Sequence, residues 1–476
     1  MMTDRKFEPK AIRDFVDNLV QVDLPEGGTP TFEEVLDDVK RLNICPGMQV
    51  MVAMPNGLPF VTIVFALLAI GAVPVLLPSS APPSRILRMA RIIGADALIA
   101  SGVSSELQKD RAGQTISQIA KSAFLGNTSE RRCQPGEIVL LTSGTSGIFS
   151  GCLFHTDSLF LNAARHARSI GQTSDDIVLI NLPMYYSYAF VAQLLATYAL
   201  GGKAIIAGPP FTPLQYKRAL DDYQVTVSSL TPLMIHALLQ SGSEKLSAFL
   251  RCLTIGGDSI DAASIEQVLM SNSGLKIYLT YGLTQAGPRV TTLAAHMEAP
   301  QRYASVGRPL PGIQVHLDKK NPGQKQGELI VDTDTGMLQR IDGHSTSARS
   351  AYGGRTLIKT GDIFEMDDDG YLFFRGRQPT YVVNHGVKIH LKSVCDIAET
   401  IPGIVKAETW LNGSVGDDAG FTLDIYCDDT SISERDIRRE LGKVLLRAEQ
   451  PAQLLIHPTS CVGWRKSAAL SKACSS

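Results

Sequence analysis

The sequence predicts an α/β protein whose large N-terminal region holds two parallel-rich sheets with helices and a small β-subdomain, followed by a small α+β C-terminal domain. Short β-branched runs such as MQVMVAM, EIVLLT and CLTIGG alternate with helix patterns such as SRILRMARII. That alternation is typical of parallel sheets covered by helices. From about residue 300 the pattern changes to closely spaced strands and turns, including GELIVDT and YLFFRGR, which predicts the β-subdomain.

The length of the chain and the pattern after Gly376 predict the domain division. A chain of 476 residues exceeds what one hydrophobic core usually serves. The residues after Gly376 read as strand, helix, strand, strand, helix, strand, from YVVNHG to AQLLIHP. We therefore predict a large domain at 1–376 and a small domain at 377–476.

Composition and charge exclude several classes of protein. The net charge is −2 and no long run of Lys or Arg occurs, so the electrostatic footprint of a nucleic-acid-binding protein is missing. The eight cysteines include no CxxC pair, which argues against a zinc site and a disulfide framework and fits a reducing cytosol. We expect a cytoplasmic protein whose partners are small molecules or proteins.

One apolar stretch is long enough to span a bilayer. Residues 58–78 (LPFVTIVFALLAIGAVPVLLP) carry no charge, but several Pro and Gly residues interrupt them. The pattern predicts a buried helix to about Ile70 and a buried strand from Val73 to Leu77 instead. Because the N-terminus MMTDRKFEPK has no apolar segment, it does not read as a signal peptide, and we expect no association with a membrane.

A cluster of hydroxyls and glycines follows the apolar run from Ile138 to Leu141. Backbone N–H groups and four hydroxyls in such a turn can converge on phosphate oxygens, and glycines permit the tight backbone. The GxxxxGK[ST] pattern of a Walker loop is absent. Taken alone, such a cluster is more often an ordinary solvated loop. The cluster consists of Thr142, Ser143, Gly144, Thr145, Ser146 and Gly147.

Seven stretches along the chain resemble, in order, the motifs of one enzyme superfamily. They are TSGTSGIFSG, LPMYYSYAF, LTIGGDSI, TYGLTQAG, SVGRPLPG, IKTGDIFEMDDDGYLFFRGR and HGVKIH. This set resembles the adenylate-forming superfamily, which includes acyl-CoA synthetases, aryl-acid ligases, luciferases and the adenylation domains of peptide synthetases. The resemblance extends from about residue 30 to about residue 470, and it implies that the small C-terminal domain is mobile.

The resemblance implies an ATP-dependent ligase. Such an enzyme activates a carboxylic acid as its acyl-AMP, releases pyrophosphate, and passes the acyl group to a thiol of CoA or of a carrier-protein phosphopantetheine. ATP and Mg²⁺ are the implied cofactors, with CoA or the carrier protein as acceptor. Because two anions must meet, oriented N–H groups, hydroxyls, a metal ion and cations are needed where charge develops.

The resemblance also assigns residues to the phosphates and the ribose. Residues 142–147 would hold the β- and γ-phosphates, and Thr284 would approach the α-phosphate. Asp362 would accept hydrogen bonds from the ribose hydroxyls, while Arg377 would reach ribose or phosphate. From the residues alone, Asp362 also fits a turn and Arg377 a solvated charge.

A second group of residues is implied for the adenine. Gly257 and Asp258 would lie in the glycine turn beneath the base, and Tyr281, followed by Gly282, would stack on it. A core tyrosine at the end of a strand is the alternative for Tyr281.

The acid is expected to contact Tyr186, Tyr188 and Gly256. Aromatic residues at this spacing fit plain core positions equally well. No aspartate stands where amino-acid-activating relatives hold the α-ammonium group, which favours an aryl or fatty acid. The expected partners are therefore a small carboxylic acid and, as an alternative acceptor, an acyl carrier protein.

Four positions depart from the superfamily pattern. Ser150 replaces the loop lysine, Gln285 replaces the glutamate that helps to hold Mg²⁺, and Pro379 stands at the hinge. Trp464 occupies the place of the catalytic lysine, and losing one such donor typically costs about 3 to 4 kcal/mol of transition-state stabilisation. We predict Gln285 as a weak metal ligand and Lys466 as the replacement cation; the alternative is that Lys466 is a solvated lysine.

Three functions stay open at this point. The first is the acid–thiol ligase described above. The second keeps adenylation but transfers the acyl group to an amine, which the rigid Pro379 favours. The third is a non-catalytic protein that binds a nucleotide or an acyl-adenylate, which the lost lysines favour.

Overall fold

The computed structural model describes most of the chain in two compact units. Among the described residues, the large unit ends at 377 and the small unit begins at 381. The predicted division at 376 stays a prediction, because residues 378–380 are not among the described ones. The described residues are 7–22, 30–104, 107, 114–125, 133–142, 151–208, 210–319, 323–342, 345–346, 350, 353–377, 381–384, 387–411, 420–427 and 432–458.

The strands of the large unit are short, and most of them are buried. In chain order they are β1 (Val20–Gln21), β2 (Gln49–Ala53), β3 (Val73–Leu77), β4 (Ala97–Ala100), β5 (Thr115–Ile116), β6 (Ala120–Phe124), β7 (Glu137–Leu141), β8 (Gly151–His155), β9 (Ile177–Ile180), β10 (Lys203–Ile206), β11 (Val227–Leu230), β12 (Cys252–Gly256), β13 (Lys276–Gly282), β14 (Arg289–Ala294), β15 (Arg308–Pro309), β16 (Gln314–Asp318), β17 (Gln326–Thr333), β18 (Gln339–Asp342), β19 (Ser345–Thr346), β20 (Thr356–Met366) and β21 (Leu372–Arg377).

Helices of the large unit alternate with these strands. Three of the N-caps are threonines whose hydroxyls accept a backbone N–H three residues on: Thr31, Thr212 and Thr231. The helices are α1 (Pro9–Val16), α2 (Phe32–Arg41), α3 (Leu58–Ala69), α4 (Pro83–Ile93), α5 (Thr156–Ser169), a π-helix (Tyr188–Leu195) that continues into α6 (Ala196–Leu200), α7 (Pro213–Asp222), α8 (Pro232–Gln240) and α9 (Ala262–Ser271).

An eight-stranded sheet has the order β1-β10-β9-β11-β12-β13-β14-β15. Neighbours from β1 to β13 pair in parallel, whereas β14 and β15 are antiparallel. Within β9, Val178 and Ile180 contact one hydrophobic core and Leu179 contacts another. Both faces of the strand are therefore covered, which explains its unbroken apolar sequence.

A nine-stranded sheet has the order β19-β18-β8-β7-β3-β2-β4-β6-β5. The central strands β7, β3, β2 and β4 are parallel, and the strands on either side are antiparallel. Since β7 and β8 are paired with Leu141 opposite Gly151, residues 142–150 connect two adjacent strand ends.

A four-stranded antiparallel sheet, β16-β17-β20-β21, forms the β-subdomain. Leu329, Val331 and Phe364 lie in its hydrophobic cluster together with Val290 of the eight-stranded sheet. Shared packing therefore joins this sheet to the edge of the larger one.

The small unit has its own core of Leu423, Ile425, Val394 and Ile437 among others. Its strands form a hairpin, β22-β23, and a three-stranded sheet, β24-β25-β26, in which β25 and β26 are parallel. The elements are β22 (Tyr381–Asn384), β23 (Val387–His390), α10 (Leu391–Ala398), β24 (Ile404–Leu411), β25 (Phe421–Cys427), α11 (Glu434–Gly442) and β26 (Gln453–Pro458).

The predicted fold class is confirmed: two sheets with parallel centres, helices, a β-subdomain and a small α+β unit. The helix predicted to reach Ile70 ends one residue earlier, and the strand lies at Val73–Leu77 as predicted. The HGVKIH stretch supplies β23, a strand that periodicity did not predict. No helix among the described residues combines the length and hydropathy that crossing a bilayer requires.

A partly buried ion pair lies at the amino ends of β9, β11 and β12. Asp176 is 3% exposed, and its carboxylate accepts from Arg251 Nε at 2.7 Å, from Arg251 Nη2, and from the Thr226 hydroxyl at 2.7 Å. Burial alone would raise the pKa of Asp176, but hydrogen bonds from Arg251, Thr173 and Thr226 outweigh burial and lower it. These contacts join the residues that immediately precede three neighbouring strands.

Replacing Asp176 by Asn is expected to lower the free energy of unfolding by about 1 to 3 kcal/mol, because a buried acceptor loses its charge. The pKa of Asp176 in the folded protein lies below that in the unfolded chain, which is about 3.9 for Asp. The contribution of Asp176 to the free energy of unfolding is therefore complete above about pH 3.9, and it is lost as the pH falls through the pKa of the folded state. Urea unfolding between pH 7 and pH 3 measures this difference. The exposed neighbour Asp175, changed to Asn, is the control, and equal midpoints for the two variants would contradict the assignment.

Candidate active site

Three segments predicted to form the site meet at one edge of the eight-stranded sheet. They follow the carboxyl ends of β9, β12 and β13, which run parallel within this sheet. Register places Gly256 of β12 opposite Thr280 of β13. In open parallel sheets this edge is where ligands bind, so the fold itself brings these motifs together.

A hydrogen bond links this sheet to the β-subdomain. The Tyr281 hydroxyl, at the end of β13, donates to Oδ2 of Asp362 on β20 at 2.7 Å. The Tyr281 ring also meets Phe364 edge to face, with centroids 4.9 Å apart. Asp362 is only 3% exposed, and its backbone N–H donates to the Thr360 hydroxyl at 3.0 Å. Two predicted nucleotide residues are thus in direct contact.

The glycine turn after β12 leaves no room for side chains. A Cβ on Gly256 would collide with the Thr280 hydroxyl and would lie 2.8 Å from the Thr280 carbonyl oxygen. Gly257 has φ +98°, a conformation that glycine adopts most readily. Asp258 is exposed and accepts from the Ser259 N–H at 2.8 Å. The backbone at this turn is therefore shaped for a close approach.

A chain of hydroxyls fixes Tyr188. The Tyr188 hydroxyl lies 2.8 Å from that of Thr254, which donates to the hydroxyl of Ser229 at 2.8 Å. Thr254 and Ser229 are buried in β12 and β11. Tyr188 therefore lies at the site with a defined orientation, as the first residue of the π-helix, a form that is frequent at functional sites.

The other tyrosine predicted to contact the acid, Tyr186, takes no part in this series of hydrogen-bonded hydroxyls. Tyr186 is 40% exposed and its ring centroid is 4.4 Å from that of Tyr185. Burial, followed by the nearby Tyr186, raises the pKa of Tyr185, so its hydroxyl stays neutral.

Thr284 is the first residue of a 3₁₀ turn, Thr284–Ala286, that follows β13. Its hydroxyl lies 2.9 Å from the hydroxyl of Ser187, which is buried in the segment after β9. The backbone carbonyl of Gln285 accepts from the Met337 N–H at 2.9 Å. Just before the turn, a Cβ on Gly282 would collide with the Pro288 carbonyl oxygen. Contacts with two distant segments therefore hold the turn in place.

Arg289 is a buried cation next to Tyr188 that the sequence reasoning missed. It begins β14, is 2% exposed, and places its guanidinium carbon 4.9 Å from the Tyr188 ring centroid. Asn162 of α5 accepts the Arg289 N–H at 2.9 Å and donates to its carbonyl at 2.9 Å. His166, one turn further along α5, is also buried; burial and then the charge of Arg289 hold its pKa well below the ordinary value.

Several predicted residues can be placed only in part or not at all. Thr142 follows β7 and is half-buried. Arg377 ends β21, with its backbone opposite Asp362. Residues 143–147, Ser150, Pro379, Trp464 and Lys466 lie outside the described residues, so their roles stay predictions.

The described residues hold no group of three or more His, Cys, Asp or Glu side chains that could bind a metal ion. Of the residues missed by the sequence reasoning, Ser187 lies within the LPMYYSYAF stretch, but nothing in its residue type distinguished it there. Arg289 did carry a signal, because it is the only charged residue in the strand RVTTLA.

Comparison with known proteins gives one family and several relatives. A sequence model described as "AMP-binding enzyme" matches residues 20–339. The 2-succinylbenzoate–CoA ligase of Bacillus cytotoxicus is 24% identical over 392 residues, which cover 79% of this chain and 79% of that protein.

Two solved structures show the same fold. The o-succinylbenzoate coenzyme A synthetase of Bacillus subtilis, in complex with ATP and magnesium ion, has a TM-score of 0.62 at 18% identity, covering 92% of each chain. The amide bond synthetase of Marinactinospora thermotolerans has a TM-score of 0.65 at 17% identity, covering 94% of this chain and 95% of that one. At these identities the likeness concerns the fold.

Replacing Gly256 by Ala is expected to lower the free energy of unfolding by about 1 to 3 kcal/mol, because the added methyl group meets the Thr280 backbone and hydroxyl. Urea unfolding measures the change. Gly102→Ala is the control, since a Cβ there meets nothing within 4 Å. If both variants unfold at the wild-type midpoint, the turn is less tightly packed than the distances imply.

Proposed function

The chain belongs to the AMP-binding enzyme family, and from that premise we propose that it is an AMP-forming acid–thiol ligase. It activates a carboxylic acid as the acyl-adenylate with release of pyrophosphate, and the thiol of CoA then takes the acyl group with release of AMP. Family membership confirms the superfamily predicted from the seven motifs.

The observation that carries the proposal is the hydrogen bond between Tyr281 and Asp362. It joins a strand end of the eight-stranded sheet to the β-subdomain, across 81 residues of sequence. A flat ring beside a carboxylate is the combination needed for a purine and the vicinal hydroxyls of its ribose. Tyr281 orients Asp362, so the two residues recognise the nucleoside as one unit.

The chemical step joins two anions. A carboxylate oxygen of the acid attacks the α-phosphorus of ATP, and the bond to the pyrophosphate oxygen breaks as the acyl–phosphate bond forms. The superfamily motif assigns Thr284 to the α-phosphate, and the 2.9 Å contact of its hydroxyl with that of Ser187 supports this role because it fixes the hydroxyl in advance. Fixed hydroxyls need no reorganisation as charge develops.

Mg²⁺ is expected to arrive with ATP and to offset the negative charge of the phosphates. The amide oxygen of Gln285 is a neutral oxygen donor, which suits a cation held mainly by phosphates and water. The 3₁₀ turn that carries Gln285 is held by the N–H of Met337 and by the Thr335 hydroxyl, which donates to the Ala286 carbonyl at 2.9 Å. The Gln285 side chain can therefore serve as a weak ligand.

The acid is proposed to be an aryl or fatty acid. Tyr188 presents its ring next to the glycine turn, since a Cβ on Gly256 would lie 3.5 Å from that ring. This gives the acyl group a flat apolar wall beside the backbone of β12. CoA is the proposed acceptor of the acyl group, and the phosphopantetheine of a carrier protein is the alternative acceptor.

Two other functions have support from single residues. Pro379 stands at the position where the small domain of relatives swings to deliver a thiol, which favours transfer to an amine. Trp464 and Ser150 stand where relatives have lysines, which favours a binding protein that performs no chemistry.

Exchange of labelled pyrophosphate into ATP tests adenylation directly. With Mg²⁺ and a panel of benzoate, 2-succinylbenzoate, octanoate and amino acids, we expect exchange with an aryl or fatty acid and none with amino acids. Asp362→Asn is expected to lower exchange by about a hundredfold, because the ribose loses a charged acceptor. ATP binding without exchange for any acid would establish the binding-protein alternative.

Mass spectrometry of the products then identifies the acceptor. Mixtures contain the activated acid with CoA, a phosphopantetheinylated carrier domain, or simple amines. A CoA thioester is the expected product, and an amide formed in place of a thioester would move the assignment to the amine-transferring alternative.

Replacing Tyr281 by Phe is expected to raise the Kd for ATP by about 5- to 10-fold, because Asp362 loses the hydrogen bond that orients it while the ring contact with Phe364 is kept. Calorimetric titration with ATP measures Kd. Tyr223→Phe, at the C-cap of α7, is the matched control. An unchanged Kd in the Tyr281 variant would remove this tyrosine from the nucleotide site.

A further inference from the structure

Arg289 has an uncompensated charge at the proposed acid site. Its Nε and Nη2 atoms are fully buried and have no hydrogen-bond partner among the described residues. Arginine keeps its proton in proteins, and burial lowers the pKa of Arg289 only because the charge has left water. A buried charge without a partner costs several kcal/mol, so this arrangement needs a reason.

Two other arginines of the large unit, Arg165 and Arg251, show how a partly buried guanidinium is paired in this chain. Arg165 binds Asp334 through two hydrogen bonds of 2.5 and 2.8 Å. Arg251 uses Nε and Nη2 to bind the two oxygens of Asp176. The same two atoms of Arg289 are the ones left without an acceptor, and together they form the edge that binds a carboxylate side-on.

The neighbours of Arg289 that the structure describes supply no counter-charge. Tyr188 offers the face of its ring at 4.9 Å, which is a weaker interaction than an ion pair. His166 is buried with its Nδ1 unpartnered, and its depressed pKa keeps it neutral at neutral pH. A neutral imidazole has one further N–H or lone pair to offer to a polar ligand.

The position of Arg289 is imposed by the fold. Both backbone groups of Arg289 are held by the Asn162 side chain, which is itself fully buried and also bonds the Thr335 hydroxyl at 3.2 Å. The guanidinium therefore lies beside Tyr188 because α5 fixes the start of β14 there. Tyr188 in turn lies next to Gly256, since an added Cβ there would be 3.5 Å from its ring, and this is where the acid is proposed to bind.

We propose that Arg289 binds a second carboxylate on the acyl portion of the substrate, so that the chain selects dicarboxylic acids. This inference rests on the proposed function, since it concerns the acid that is adenylated. One carboxylate reacts with ATP, and the other lies on the Nε and Nη2 edge of Arg289. Acids that lack the second charge leave the guanidinium unpaired, and they are rejected for that reason.

Matched acids test the selection. Pyrophosphate exchange is measured with benzoate against phthalate, isophthalate and terephthalate, and with pentanoate and hexanoate against glutarate and adipate. We expect one diacid to exceed its monoacid in kcat/KM by about a hundredfold or more. In Arg289→Met the ratio of the two kcat/KM values is expected to fall by about a hundredfold. In Arg289→Lys it is expected to fall by less, because lysine keeps the charge but cannot donate two parallel hydrogen bonds to a carboxylate.

Arg251→Gln is the matched control, because it removes an arginine that is already paired with a carboxylate. It is expected to lower the unfolding midpoint and to leave the diacid to monoacid ratio unchanged. Arg289→Met, in contrast, removes an unpaired charge, so ligand-free Arg289→Met is expected to unfold at or above the wild-type midpoint. These stability measurements do not depend on activity.

The outcomes separate this inference from the proposed function. An unchanged ratio in Arg289→Met overturns the inference, and so does an equal loss for monoacids and diacids, which would place the reacting carboxylate on Arg289. If no acid supports exchange, the change in Tm on adding each diacid is measured instead. A diacid that raises the Tm of the wild type but not of Arg289→Met supports diacid binding by Arg289 and contradicts the ligase function. If no diacid changes the Tm, both are contradicted.

Discussion

The site depends on the parallel alignment of β9, β11, β12 and β13. At the amino edge, the carboxylate of Asp176 bonds Thr226 and Arg251, the residues just before β11 and β12. At the carboxyl edge, the same alignment brings Tyr188, which follows β9, within 2.8 Å of the Thr254 hydroxyl on β12. Because each residue advances a strand by about 3.3 Å, an error in register at one edge would separate the partners at the other. The ion pair therefore stabilises the sheet that carries the site, and it lies at the opposite edge from the site itself.

Among the described residues, those predicted for the nucleotide include few cations. They offer mainly hydroxyls and the carboxylates of Asp258 and Asp362, with Arg377 as the one cation, and Ser150 and Trp464 are predicted to stand where the superfamily pattern has lysines. Neutral donors carry only partial charge and stabilise a developing anion less than a cation does. Such a site must rely on donors that are already in place, and the bond between Thr284 and Ser187 is an example. Preorganisation then compensates in part for missing charge.

Short linear motifs predicted much of this arrangement, whereas contacts between distant segments could not be predicted. Tyr281 and Asp362 stood out because each lies in a motif whose chemistry is readable. The alternation of strands and helices likewise follows from hydrophobic period, which is a local property. Asn162 and Arg289 are 127 residues apart, and a single sequence carries no record of such a pair. The charge of Arg289 within a buried strand was visible, but its meaning depended on which side chains surround it.

The difference between paired and unpaired arginines explains how a binding site can select its ligand by charge. Arg165 and Arg251 have carboxylate partners, so the free energy of those contacts stabilises the fold. Among the described residues Arg289 has none, so its desolvation opposes folding, and the Asn162 side chain holds its backbone in place. An anionic group that reaches Arg289 recovers interaction energy that the free chain lacks, whereas a neutral group recovers nothing and adds a further desolvation cost. Buried polar groups left unsatisfied by their own chain are therefore expected where a ligand completes the structure.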